Sequence, residues 1–216
     1  MSELPLKLST RVRRLMRRTW IKYAGHGMSA AEVLSGLERL YDTPDPWKMA
    51  SAKEQFRFAR TNEILARELV GAARQVDSIL EIGCGEGHQS EHLRSLCGRL
   101  TGIDIVARAI ERARIRDPEV EWVLGNLEDQ PWANTGRAFD IVTACECLYA
   151  FADIPGTLRL MSRLGSACLV TYFGGAAHAV ERPLRAMPLD GRESFVFDDV
   201  TWTAVWWRSK SRWRRA

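Results

Sequence analysis

The chain has 216 residues, 46% of them apolar and 27% charged, with a formal net charge of +4; this is enough for one well-cored domain and does not require a second. No apolar run approaches the roughly 18 residues of a membrane span, and nothing at the N-terminus has the charged-apolar-small pattern of a secretory signal. The five cysteines are odd in number and scattered through apparent core strands, which argues for reduced thiols and a cytosolic setting.

Residues 1–28 read as a basic extension. Lys7, Arg11, Arg13, Arg14, Arg17, Arg18 and Lys22 stand there against Glu3, and Val12, Leu15, Met16, Thr19, Trp20 and Tyr23 recur at helical spacing between the arginines. A solvated tail, a helix lying on an anionic membrane surface and a phosphate-binding arm on RNA are the three readings, in that order. The far end, 209–216, is a second basic tail that follows Arg208 and carries Lys210, Arg212, Arg214 and Arg215. The body between the two ends is net acidic, so no nucleic-acid partner is expected.

The domain itself is expected over residues 29–208. Ser29 is placed to cap a helix through Leu40 with Val33, Leu34, Leu37 and Leu40 on one face. The "DTPDPW" stretch, Asp42 to Trp47, is a rigid double-proline turn. A long helix follows from about Ser51 to Gly71, with Phe56, Ala59, Ile64, Leu65 and Leu69 as inner positions. These pieces form a helical cover, residues 29–75.

From residue 76 onward strand alternates with helix. The strands are "SILEIG", "RLTGIDI", "VEWVLG", "FDIVTACE" and "ACLVTYFG". The helices are expected over "QSEHLRSLCG" with Gly98 ending it, over Ala107 to about Arg116, and over Ile154 to Leu164. This alternation predicts an α/β domain with a parallel sheet covered on both faces. "ESFVFDDVTWTAVWWR" reads as two aromatic strands around an acidic break, an antiparallel hairpin at a sheet edge.

The first strand runs into Gly83, Gly85 and Gly87. Bare backbone at the carboxyl end of a parallel strand marks a ligand pressed against the main chain. Asp104 ends the second strand, where a carboxylate can accept from both hydroxyls of a ribose. The spacing is G-x-G-x-G, with His88 where a dinucleotide site requires glycine or alanine, and no G-K-[ST] follows. A nucleoside cofactor without a pyrophosphate fits best.

On these residues the chain resembles the class I S-adenosylmethionine-dependent methyltransferases. "LEIGCGEG" is similar to their first motif, "LTGIDI" to their second, "GNLED" to the segment that brackets the adenine, and "FDIVTACECLYAF" to their fourth. Within that superfamily the early "DPW", "SAKEQFRFARTNEIL" and "ECLYAF" resemble the nodulation-protein-S type N-methyltransferases. The resemblance implies a seven-stranded Rossmann-like sheet, mostly parallel with an antiparallel C-terminal hairpin strand. It also implies S-adenosyl-L-methionine as cofactor. Glu81, Gly83, Cys84, Gly85 and Gly87 then match the positions that hold its methionine part. Asp104 matches the ribose acid, and Ile105 and Leu127 match apolar contacts of the adenine. Asn126 stands where an aspartate commonly accepts from the adenine amino group; its amide oxygen still accepts, without charge. Cys145 lies where the fourth strand opens onto the sulfur.

The acceptor implied by the resemblance is an amino or hydroxyl group of a saccharide or saccharide-derived small molecule. Another small metabolite and a non-catalytic cofactor-binding partner protein are the alternatives. An amine must lose its proton before attack. Glu146, Tyr149 and His178 are the candidates for that work, with Tyr172 beside them; Glu146 equally fits a role in holding backbone or cofactor. Cys145 and Cys147 form C-x-C without a second pair or a histidine, so no metal site is expected. His88 and His92 read as an exposed helix face. Trp202, Trp206 and Trp207 read as a packed edge strand, with stacking on a sugar as the alternative, and Trp47 as either a cofactor clamp or a core plug.

Overall fold

The computed structural model describes residues 30–135 and 139–209. The basic N-terminal stretch, Ser29 and the basic residues after Ser209 lie outside the described residues, so the readings placed on them stand as sequence expectations. No described helix is long and apolar enough to cross a membrane.

Helix α1 (Ala30–Leu40) and helix α2 (Ala52–Leu65) form the cover, α2 running on through a π-helical turn at Ala66–Val70. Seven strands follow in one sheet: β1 (Val76–Ile82), β2 (Cys97–Asp104), β3 (Glu121–Leu124), β4 (Phe139–Cys145), β5 (Gly165–Phe173), β6 (Gly191–Phe197) and β7 (Val200–Arg208). Between them lie α3 (Ser90–Leu93), α4 (Ala107–Arg116), α5 (Pro131–Thr135), α6 (Ile154–Leu164) and α7 (Ala177–Arg185). The strand order is β3-β2-β1-β4-β5-β7-β6. Strands β1 to β5 pair in parallel, and β7 pairs antiparallel with both β5 and β6. The expected sheet with its antiparallel hairpin strand is therefore the observed one, and the acidic break is the turn at Asp198, with φ 51°.

Alternation along the central strands sends side chains to two cores. Leu80, Val142 and Val170 face Leu158, Met161 and Leu184 of α6 and α7. Ile79, Ile141 and Leu169 face Ile64 and Leu65 of α2 and Ile110 of α4. Each fully buried aliphatic contributes roughly 1.5–3 kcal/mol, so a one-residue register slip in the sheet is strongly disfavoured. Trp206 and Trp207 divide between the two cores, and Trp207 Nε1 donates to Ser162 Oγ at 2.9 Å. They are packing residues of the sheet, as expected, but β7 is an inner strand and β6 forms the edge beyond it. At the start of α6, Asp153 caps the helix by accepting from the Gly156 amide at 2.8 Å, a contact worth about 1 kcal/mol.

Three sequence expectations change. The helix after the glycine corner is one short turn, α3, and a 3₁₀ turn at Arg94–Leu96 leads directly into β2. Gly98 is a strand residue without the left-handed φ of a helix end, because the buried Leu93, Leu96 and Cys97 bring β2 beside β1 early. The inner face of α2 is rotated from the expected one. Glu54, Arg57, Phe58 and Thr61 are buried and Ala59 is exposed. Helix α7 escaped the sequence reading, since "GGAAHAV" lacks an apolar stripe and Pro183 lies inside the helix.

Candidate active site

The strand order reverses beside β1. Strand β2 lies on one side of it and β4 on the other, so the carboxyl ends of β1 and β4 open a crevice between their crossovers. A cavity of about 940 Å³ occupies it, roofed by α1, the 41–50 loop and the start of α2.

Its floor is the corner after β1. Gly83 and Gly85 adopt φ of +68° and +54°, conformations that glycine takes without strain. A Cβ on Gly83 would come within 2.6 Å of Cys147 Cβ, and one on Gly85 within 2.9 Å of Tyr41 Oη. Asp104, at the end of β2, accepts from the Gly85 amide at 2.9 Å and from the Val106 amide at 3.0 Å. Burial raises the Asp104 pKa, and these two backbone bonds oppose the rise. Each carboxylate oxygen keeps a second lone-pair site for an outside donor.

Glu81, in β1, is buried beneath the corner and accepts from Ser90 Oγ. Burial pushes its carboxyl up to about 7, against the Ser90 bond and the Arg57 charge. Gly125, Asn126 and Leu127 line the next stretch of wall, after β3. The Asn126 amide donates to Asp129 Oδ2 at 2.9 Å, which leaves its oxygen as the free acceptor. Ile105 and Cys84 also line the cavity.

Across the crevice, Glu146 follows β4 in a left-handed conformation, φ 57°. Its amide donates to Thr171 O at 3.0 Å, and its Oε2 accepts from the Phe173 amide at 3.1 Å. Its Oε1 is buried without a hydrogen-bond partner. Burial lifts the Glu146 carboxyl to about 7, with Arg57 acting against the rise. Tyr149 lies beside it, edge-on to Phe173 at 5.7 Å, and burial raises its phenol well above the usual range. Cys145 lines the same wall with a thiol held up at about 12 by burial, so it is neutral. Cys147 donates to Ile82 O at 3.2 Å. Among the described residues no group of three metal-ligating side chains converges.

Most sequence-predicted site residues thus line one cavity: Glu81, Gly83, Cys84, Gly85, Asp104, Ile105, Asn126, Leu127, Cys145, Glu146 and Tyr149. Gly87 belongs to the same corner and leaves room for the Trp122 ring, which would lie 2.8 Å from its Cβ. His178 is not brought in. It is exposed on α7, with Nδ1 3.1 Å from Gly175 O, because α7 packs behind β5. Tyr172 points to the opposite face of the sheet from Phe173 and donates to Glu181 at 2.7 Å. His88 corrects the other way: α3 is too short to carry an outer face, and His88 lines the cavity 3.5 Å from Glu86. Trp47 lines the cavity and donates to Tyr41 Oη at 3.1 Å, and Trp202 lines it from β7.

The sequence reading missed Arg57. This guanidinium is 2% exposed and reaches the cavity from α2. It donates to Glu54 at 2.7 Å and to Gln89 Oε1 at 3.1 Å. Burial works against its charge, and the Glu146 and Glu54 carboxylates more than offset that and raise its pKa. Gln89 Nε2 is a second buried polar atom without a partner in the cavity lining. The available signal was the spacing of Glu54, Arg57, Phe58, Thr61, Ile64 and Leu65, which sets a charged pair on the buried stripe of α2.

The arrangement fits a nucleoside-amino-acid ligand. It offers a carboxylate beside bare glycine backbone, a buried guanidinium, an unpartnered donor and an unpartnered acceptor in one cleft. Residues 29–182 match the family model described as Nodulation protein S (NodS). The nodulation protein S of Bradyrhizobium diazoefficiens is 35% identical over 122 residues, 55% of this chain and 54% of the relative. That of Sinorhizobium fredii is 33% identical over 138 residues, 60% of each chain. The chain thus spans little more than half the length of these relatives. The crystal structure of the N-methyltransferase NodS from Bradyrhizobium japonicum WM9, in complex with S-adenosyl-L-homocysteine, superposes with a TM-score of 0.69 at 21% identity. The match covers 83% of this chain and 99% of that one.

Proposed function

Because the chain belongs to the nodulation protein S (NodS) family, we propose that its cavity transfers a methyl group from S-adenosyl-L-methionine to an amino group of a saccharide-derived small molecule. The observation that carries this reading is the pairing of two half-sites across one crevice. Asp104 bonded to Gly85 forms the cofactor half, and Glu146 with an unpartnered buried oxygen forms the acceptor half.

The cofactor, when bound, supplies a methyl group already activated on a sulfonium, so the protein has mainly to align and to exclude water. In this reading Asp104 accepts from ribose hydroxyls, Asn126 accepts from the adenine amine, and Ile105 and Leu127 flank the base. Arg57 and Gln89 hold the carboxylate of the methionine part, and Glu81 stabilises its ammonium. Glu146 holds an ammonium acceptor by its free oxygen and takes up the proton, a task suited to a carboxyl near 7. Tyr149, Phe173 and Trp202 wall the acceptor.

The test is calorimetry with S-adenosylhomocysteine and with NAD, followed by turnover with amino-sugar oligosaccharides whose amine is free or acetylated. Methylation of the free amine alone supports the reading. Binding of S-adenosylhomocysteine with turnover of other acceptors favours another small-metabolite methyltransferase. Binding with no turnover of any acceptor favours a non-catalytic partner protein. NAD binding without S-adenosylhomocysteine binding overturns the assignment.

A further inference from the structure

Glu86, inside the glycine corner, is 5% exposed, yet the proposed chemistry gives it no task. Its carboxylate is turned to the cover. Both oxygens accept from the Asp45 amide, at 3.1 and 3.0 Å. Arg112 of α4 donates to Oε1 at 2.6 Å. The same guanidinium donates to Thr43 O at 3.3 Å and to Tyr41 O at 2.9 Å. One ion pair therefore ties three pieces together: the corner, the helix after Asp104 and the 41–50 loop.

The loop has other side-chain ties at its two ends: Arg108 of α4 pairs with the exposed Asp42, and Gln55 donates to Met49 O at 3.0 Å. Its backbone hydrogen bonds among the described residues are local, such as Lys48 to Asp45 and Ser51 to Lys48. Asp45 has φ 48° and its side chain accepts from the Met49 amide at 2.6 Å, so the loop is a hook that turns the Asp45 N–H to Glu86. Apolar contact of Tyr41 with Val106 and Ala109 holds the cover against α4. Such contact is not directional, whereas forked bonds from a half-buried guanidinium are. The Glu86 carboxylate is buried and the Arg112 side chain is 27% exposed, so the pair is better shielded than a fully exposed surface pair, which contributes little. The hook carries Tyr41 over Gly85, with Trp47 bonded to its hydroxyl, and leads into α2, which brings Glu54 and Arg57.

We propose that Glu86 and Arg112 are positioning residues that latch the cover onto the cofactor corner and so set how tightly the cofactor is retained. The proposal rests on the methyltransferase reading above. Glu86 acts through Asp45, and Arg112 through the Tyr41 and Thr43 carbonyls.

The experiment uses the full chain with Glu86→Gln, Arg112→Gln and the double variant. Affinity for S-adenosylhomocysteine is measured by calorimetry, and amide exchange of residues 41–50 is followed without cofactor. Each single variant is expected to weaken S-adenosylhomocysteine at least tenfold and to speed exchange in the loop. The double variant is expected to be no worse than the weaker single, since both break one latch. In turnover, KM for S-adenosylmethionine should rise tenfold or more while kcat falls by less than threefold. Arg112→Lys, which keeps the charge and loses the fork, should recover part of the affinity; it also serves if Glu86→Gln does not fold. Single-variant affinities within twofold of wild type, additive losses in the double variant, or unchanged loop exchange each overturn the latch. Failure of the wild-type chain to bind S-adenosylhomocysteine overturns instead the reading on which it rests.

Discussion

Asp104 accepts from the Gly85 amide at 2.9 Å, so the acid that ends the second strand and the middle glycine of the corner form one rigid unit. The loop geometry and the carboxylate that a ribose would meet are set together.

Replacing Asp104 with alanine is therefore expected to do two things. It removes the charge-assisted bonds proposed to the ribose hydroxyls, which would weaken cofactor by about 2–3 kcal/mol. It also leaves the Gly85 and Val106 amides unpaired, lowering the melting temperature of the cofactor-free protein. Asp104→Asn, which retains one acceptor oxygen, should restore part of the stability and less of the affinity. Calorimetry and thermal melts on both variants check this, and equal affinity in all three proteins would refute it.

Gly85→Ala sets a Cβ 2.9 Å from Tyr41 Oη in a backbone of φ +54°. The strain of a left-handed alanine costs roughly 1–2 kcal/mol, and the hydroxyl must move as well. Combining it with Tyr41→Phe should relieve the clash but not the backbone strain. Partial recovery of melting temperature in the double variant is the expected result; full recovery or none would contradict this geometry.

Glu146→Gln keeps the size of the side chain and an acceptor for the Phe173 amide. It removes the group proposed to hold and deprotonate the acceptor. Turnover should fall about a hundredfold or more, while affinity for S-adenosylhomocysteine stays within threefold. Raising the pH should partly rescue the variant as solvent deprotonates the amine. Joint loss of affinity and turnover would instead make Glu146 a cofactor-pocket residue.

Stability should respond to pH through the same buried acids. Glu81 and Glu146 titrate near 7 in the fold, against 4.5 for an ordinary glutamate. Between these values the folded state holds more protons than the unfolded chain, so stability falls as pH rises from about 4.5 through 7. At about 1.4 kcal/mol per pKa unit the loss is on the order of 3 kcal/mol for each group. Melts of the cofactor-free protein from pH 5 to 8 should show the decline, and it should be shallower in Glu81→Gln and in Glu146→Gln. Parallel profiles for wild type and variants would rule these groups out as its source.

The sequence by itself determined the sheet and the cofactor corner, because both are written in local pattern. Strand-helix alternation, three glycines directly after a strand and an acid at the end of the next are short-range signals. The β1 and β2 register then brings Asp104 onto Gly85. What only the tertiary structure decided is what faces the corner. The rotation of α2 that buries Arg57 in place of Ala59 depends on packing against the sheet, and a charge on a buried stripe reads locally as a surface charge. Glu86 carries no signal of its own between two glycines, and only folding brings Arg112 and Asp45 to it from distant positions. His88 and His178 exchanged places relative to expectation for the same reason. Whether a polar side chain meets solvent or a cavity is fixed by contacts between residues far apart in the chain, which neither periodicity nor spacing records.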